Sequence, residues 1–214
     1  MNIRITSGDI TKIEADAIIM PVFAETKKPD GSLTGIDKAL DGALSLLITQ
    51  GEVKGKLNEA TIIHTLGKLS AARVILLGLG KEKELTADKV RGAIAEVCRL
   101  CQRKGITDIV TVVRNAPTLG NSDGVAQAIT EGALLGTYSF RKHITKPAES
   151  KEIKTLTLVA PDKANVAAVR SGYNKGKILA EATNGARDMV NEPSIHMTPT
   201  DMAATATAIS KKYM

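Results

Sequence analysis

Apolar positions recur along this chain in two rhythms, and the alternation between them predicts the fold. Ile3 and Ile5 alternate with polar neighbours and predict a first strand. Apart from Asp16, Ala15–Val22 is an apolar run, the pattern of a strand covered on both faces. After a loop rich in Lys, Pro, Asp and Gly, the spacing of Leu40, Leu44 and Leu47 predicts one helix over Ile36–Ile48. Ala60–Leu66 predicts another strand, and Arg73–Leu79 is the clearest buried strand in the chain. Thr86 is placed to cap a helix with Val90, Ile94, Val97 and Cys101 on one face, and Gly105 to end it. Ile109–Val113 then predicts a strand and Val125–Leu135 a helix. Strand and helix in this order imply an α/β fold with a largely parallel sheet.

The texture changes near residue 140. Arg141–Lys154 is polar and basic, contains Pro147 and Ser150, and reads as an exposed connection. Leu156–Ala160 gives one last short strand. Ala164–Val190 then reads as a single long helix with Ala167, Ala168, Gly172, Gly176, Ala180 and Ala182 along it, stopped by Pro193. Thr198, Pro199 and Asp201 start another: a capping Thr, a Pro at the first helical position and an acid at the third. That last helix meets no terminating signal before Met214, so the chain is expected to stop inside a further unit.

Composition sharpens this picture in two respects. The chain has no Trp, two Phe and three Tyr among 214 residues, so its core must be built from Ile, Leu, Val and Ala. Aromatic poverty also argues against a surface that stacks the bases of a single strand. The formal charge is +6, but its 29 basic residues are dispersed, a pattern of solubility more than of nucleic-acid binding. No run of eighteen apolar residues could span a membrane, and the opening Met-Asn-Ile-Arg-Ile-Thr reads as a strand instead of a secretory signal. A cytoplasmic location is the simplest expectation.

Several residues invite a chemical reading, and each has a plainer one beside it. Cys98 and Cys101 have the spacing of a metal or redox pair. A zinc site would need two further ligands, and a redox pair would sit at a helix start, whereas these lie inside the predicted helix. They read as core. Gly78-Leu79-Gly80-Lys81 follows a strong strand, where α/β proteins hold phosphates, yet it matches neither glycine-rich fingerprint. A tight turn explains it. His64 reads as a satisfied sheet residue and His143 as a solvated one. His196, between two helices, is the one histidine near a plausible functional junction. Glu14 precedes Asp16, which reads as the residue opening its strand, and Ser7-Gly8-Asp9 as a turn. No pair of acids suited to general acid–base work stands out, and there is no GxSxG elbow.

Three stretches taken together resemble the leucyl aminopeptidase family, also called cytosol aminopeptidases or peptidase family M17. The first is Leu40-Asp41-Gly42-Ala43-Leu44 with Gly51-Glu52-Val53-Lys54-Gly55-Lys56. The second is Arg73-Val74-Ile75-Leu76-Leu77-Gly78-Leu79-Gly80-Lys81. The third, and the most specific, is Ala186-Arg187-Asp188-Met189-Val190-Asn191-Glu192-Pro193-Ser194 followed by Thr198-Pro199. Their order and separations agree, and the resemblance covers essentially the whole chain. Ile195-His196-Met197 departs from the Asn or Tyr and Leu or Met usual in relatives.

The resemblance implies a macro-domain-like three-layer α/β/α unit with a mostly parallel mixed sheet, followed by a long linker helix. Residues 1–160 would be that amino-terminal unit, 161–190 the connection, and 191–214 the truncated opening of a catalytic domain. In the family, two divalent metals (Mn or Zn) activate a bridging water that attacks the peptide carbonyl. The two segments that carry their ligands, Gly-Lys-Gly-Ile-Thr-Phe-Asp-Ser-Gly-Gly and Asn-Thr-Asp-Ala-Glu-Gly-Arg, do not occur here. No catalytic, cofactor-binding or metal residue is therefore assigned to this chain, and by itself it is expected to be inactive. The intact protein is expected to act on peptide substrates as a homohexamer, and this chain to behave as a monomer or weak dimer. Two other readings stay open: DNA binding through the basic Arg141–Lys154 segment, and a nucleotide or ADP-ribose module using the Gly78–Gly80 turn.

Overall fold

A computed structural model describes residues 1–114, 119, 121–146 and 150–213. Six strands form one sheet in the order β1-β6-β5-β2-β4-β3. They are β1 (Asn2–Ser7), β2 (Ala17–Val22), β3 (Ala60–His64), β4 (Arg73–Gly78), β5 (Asp108–Val112) and β6 (Thr155–Ala160). Every pairing is parallel except β3 with β4, a hairpin at one edge. Among the described residues six α-helices accompany them: α1 (Ser32–Ala39), α2 (Ala43–Thr49), α3 (Ala87–Arg103), α4 (Ser122–Gly136), α5 (Val166–Asn191) and α6 (Pro199–Tyr213).

The apolar runs are continuous because the inner strands are covered on both faces. Successive side chains of a strand point to opposite faces, so each run divides between two cores. Ile19, Ile75, Leu77, Ile109 and Leu156 face α3, α4 and the start of α5. Ile18, Met20, Val74, Leu76 and Val110 face Leu33, Ile36, Leu40 and Leu44 of the α1–α2 side. Helices, sheet and helices thus make three layers.

The single helix expected over Ile36–Ile48 is two. Its apolar spacing is right, since Ile36, Leu40 and Leu44 are all buried on the same core. Yet Asp41 and Gly42 between them take φ of 53° and 84°, which no right-handed helix accommodates. Asp37 holds the break: its carboxylate accepts the Ser45 N–H at 3.0 Å and the Ser45 hydroxyl at 2.6 Å, joining the two helices.

Other expectations need smaller adjustment. Thr86 caps α3 by accepting the Lys89 N–H. Thr198 and Asp201 cap α6 reciprocally, the Thr198 N–H donating to the carboxylate at 3.0 Å and the Asp201 N–H to the hydroxyl at 3.4 Å. Strand β3 stops at His64, because Leu66 has φ 51° in the hairpin turn and stands exposed. Of the small residues on α5, Gly172, Gly176 and Ala180 are buried at a four-residue interval, whereas Ala167 and Ala182 are exposed. Pro147 and Met214 lie outside the described residues.

Pro21 shapes the carboxyl end of the sheet. Strand β2 pairs with β5 only through Ala17–Ile19, whereas its pairing with β4 continues to Val22. A proline has no N–H to donate, and beyond Ile19 a crevice of about 330 Å³ opens beside β2 and β5, bordered by Asp30–Leu33.

Candidate functional site at the helix junction

Two of the concave places among the described residues carry polar side chains. The first is the crevice just described. Its one guanidinium, Arg114, is spent on Asp30 at 2.8 and 3.2 Å and lies over the Phe23 ring at 5.7 Å.

The second lies where α5 gives way to α6. Here the segment after α4 runs back across the end of α5, and a groove of about 1020 Å³ opens between that segment and the two helices. Its walls include Phe140, Ile178, Met189, Met197 and Ile209. Ile178 and Ile209 are at least half exposed, and no described residue of α6 is buried.

Polar contacts hold the closed end of this groove. Glu192 follows the last turn of α5 with its side chain only 4% exposed. It accepts from Lys142 Nζ at 3.0 Å and from His143 Nε2 at 2.7 Å. An ionised carboxylate can only accept, so the proton sits on Nε2. Burial alone would push the Glu192 carboxyl up, but the hydrogen bonds and charges of Lys142 and His143 outweigh it and hold the group below its ordinary value. The turn Pro193–Met197 lays the His196 ring on His143 at 5.1 Å and 15°. Beside it, the Tyr138 hydroxyl donates to Asp188 at 2.8 Å and accepts from Asn191 at 3.1 Å. Arg187 covers the Tyr138 ring at 5.4 Å and donates to the Leu135 carbonyl.

The histidines therefore sort differently from the sequence reading. His143 is not simply solvated but paired and stacked, and His196 is at the junction as expected. His64 is an exposed residue at the end of β3. Cys98 and Cys101 are buried in the α3 core, and burial pushes both thiols up, that of Cys101 to about 12, so neither is a nucleophile near neutral pH. Asp16 opens β2, accepting the Thr107 N–H at 2.7 Å and the Asp108 N–H at 3.0 Å from the start of β5.

The Gly78–Gly80 turn is unsuited to an anion. Its three N–H groups donate to the carbonyls of Glu59, Val22 and Gly55 at 2.7, 3.0 and 2.9 Å. In the basic Arg141–Lys154 segment, Lys142 is on Glu192 and Arg141 donates to the Lys146 carbonyl. Among the described residues, no three of His, Cys, Asp or Glu are grouped so as to hold a metal ion.

The family model described as cytosol aminopeptidase family, N-terminal domain, matches residues 19–147. The chain belongs to that family. A probable cytosol aminopeptidase of Sulfurihydrogenibium sp. is 36% identical over 213 residues, covering 100% of this chain and 42% of that protein. Another, from Alkaliphilus metalliredigens, is 31% identical over 215 residues, covering 100% and 43%. Among solved structures, a tomato leucine aminopeptidase mutant superposes on 100% of the chain and 42% of its own length with TM-score 0.80 at 16% identity. The bottromycin maturation enzyme BotP in complex with Mn covers 92% of the chain and 36% of its own, with TM-score 0.65 at 20% identity. This amino-terminal domain thus has the fold of those structures, and the chain spans about two-fifths of the length of the curated relatives it matches.

Proposed function

We propose that this chain is the non-catalytic amino-terminal part of a metal-dependent aminopeptidase that removes residues from the amino terminus of peptides. One observation carries the reading: relatives described as probable cytosol aminopeptidases align with the whole chain while extending well beyond it. Residues 1–160 form the sheet unit, 161–190 the connection, and 191–214 the opening of a second domain. The sheet order supports a macro-like topology for the first. The exposure of α6 and of Val190 and Ile195 supports the third, since apolar surface of that kind normally lies against protein.

Metal-assisted hydrolysis of the peptide bond belongs to the remainder of the protein, with manganese or zinc as the metal. The sheet unit then serves as a scaffold. The intact protein is a cytoplasmic homohexamer, and this chain, lacking most of the assembling surface, is a monomer or weak dimer. No helix of the described residues is long and apolar enough to cross a membrane.

The test is direct. Incubated with leucine p-nitroanilide and manganese, the chain should give no hydrolysis above blank, and on a sizing column it should elute near its 22.6 kDa monomer mass. Turnover above blank would overturn the assignment of catalysis to the remainder.

A further inference from the structure

Helix α6 has no buried residue among those described, and Val190 in the last turn of α5 and Ile195 in the turn that follows are 84% and 78% exposed. The hydrophobic core therefore does not set the direction in which α6 leaves α5. What remains is Glu192, a charge almost fully withdrawn from water, and the groups that reach it. Both of its donors come from the segment after α4, and neither from α5 or α6. The turn beyond it is closed by the His196 and Met197 N–H groups on the Pro193 carbonyl at 2.8 and 3.1 Å, which brings the His196 ring onto His143.

We propose that Glu192, with Lys142, His143 and His196, is an orientation lock that fixes α6, and hence the domain that α6 opens, against the sheet unit. The proposal rests on the reading of residues 191–214 as the start of a second domain. A buried carboxylate tolerates no half-measures: paired, it is compensated, and with its partners removed it must move into water. The neighbouring charges are occupied elsewhere. Arg141 bonds the Lys146 carbonyl, Asp188 bonds Tyr138, and Asp201 caps α6. None of them replaces Lys142 or His143.

Spin labels at Lys104→Cys and Ala206→Cys report the angle, and the buried Cys98 and Cys101 stay unlabelled. The distance distribution between the labels should be narrow in the otherwise unaltered chain. It should at least double in width in Glu192→Gln, which keeps the shape and removes the charge, and in the Lys142→Ala, His143→Ala pair. Circular dichroism and the urea midpoint check that the sheet unit remains folded. Should Glu192→Gln unfold the chain, the Lys142 and His143 pair decides alone. A broad distribution in the unaltered chain, or an unchanged width in the folded variants, overturns the lock. Neither outcome touches the assignment of catalysis, which the hydrolysis assay judges separately.

Discussion

Gly78 ends β4 against the carbonyl of Lys56, and a Cβ at that position would collide with it. The N–H and C=O of Gly78 are both committed, to Glu59 at 2.7 Å and to the Asn58 N–H at 3.0 Å, so the backbone cannot step aside. Gly78→Ala should therefore destabilise the chain by about 1–3 kcal/mol, the usual cost of overpacking a close contact. A lowered urea midpoint with unchanged slope would show it, and an unchanged midpoint would mean that the Lys54–Asn58 segment yields. The same geometry explains why a glycine turn at a strand end, attractive as a phosphate site on paper, does something else here. Its donors are consumed by the carbonyls of Glu59, Val22 and Gly55, in the neighbouring loop and the end of β2.

At the scale of elements, Asp37 is the side chain on which the α1–α2 corner depends. Its carboxylate serves the start of α2 as a cap from eight residues upstream. Asp37→Ala should cost about 1 kcal/mol, in the range of lost amino-terminal caps, measured again as a shift in urea midpoint. Most elements were legible because doubly covered strands and amphipathic helices write their period into the sequence. The corner was misread because the four-residue spacing of Ile36, Leu40 and Leu44 continues straight through it. Asp41-Gly42 was the available signal, a pair suited to positive φ. Asn121, whose side chain accepts the Asp123 and Gly124 N–H groups at the start of α4, was missed for the same kind of reason, since the apolar period begins only at Val125. Of the Glu192 cluster only His196 stood out in the sequence. Lys142 and His143 stand about fifty residues before Glu192, and only the return of α5 along α4 brings them together.

For the whole molecule, stability is tied to carboxylates that the folded state favours in ionised form. For Asp16, burial pushes the group up, but three hydrogen bonds from Thr107 and Asp108 and the charge of Arg73 outweigh it, and the result is below its ordinary value. Glu192 behaves similarly. A group depressed on folding stabilises above its unfolded pKa, about 4 for a carboxyl, and that contribution disappears as pH falls through the folded value. The chain should accordingly keep its urea midpoint from pH 7 to about pH 5 and lose it progressively below pH 4. Asp16→Asn should lower the midpoint at pH 7 and leave a shallower acid limb; an acid limb identical to the unaltered chain would remove Asp16 from this account. The sheet order carries a consequence of another kind. Strand β1 has a single neighbour, β6, in register from Asn2 opposite Thr155 to Ser7 opposite Ala160. Strand β1 precedes the other five strands of this sheet in the chain and thus waits for β6, the latest of them, before it can dock. Throughout that interval its Ile3 and Ile5 are available to whatever captures nascent chains, so pauses in translation before residue 160 lengthen the period in which this protein can misassemble.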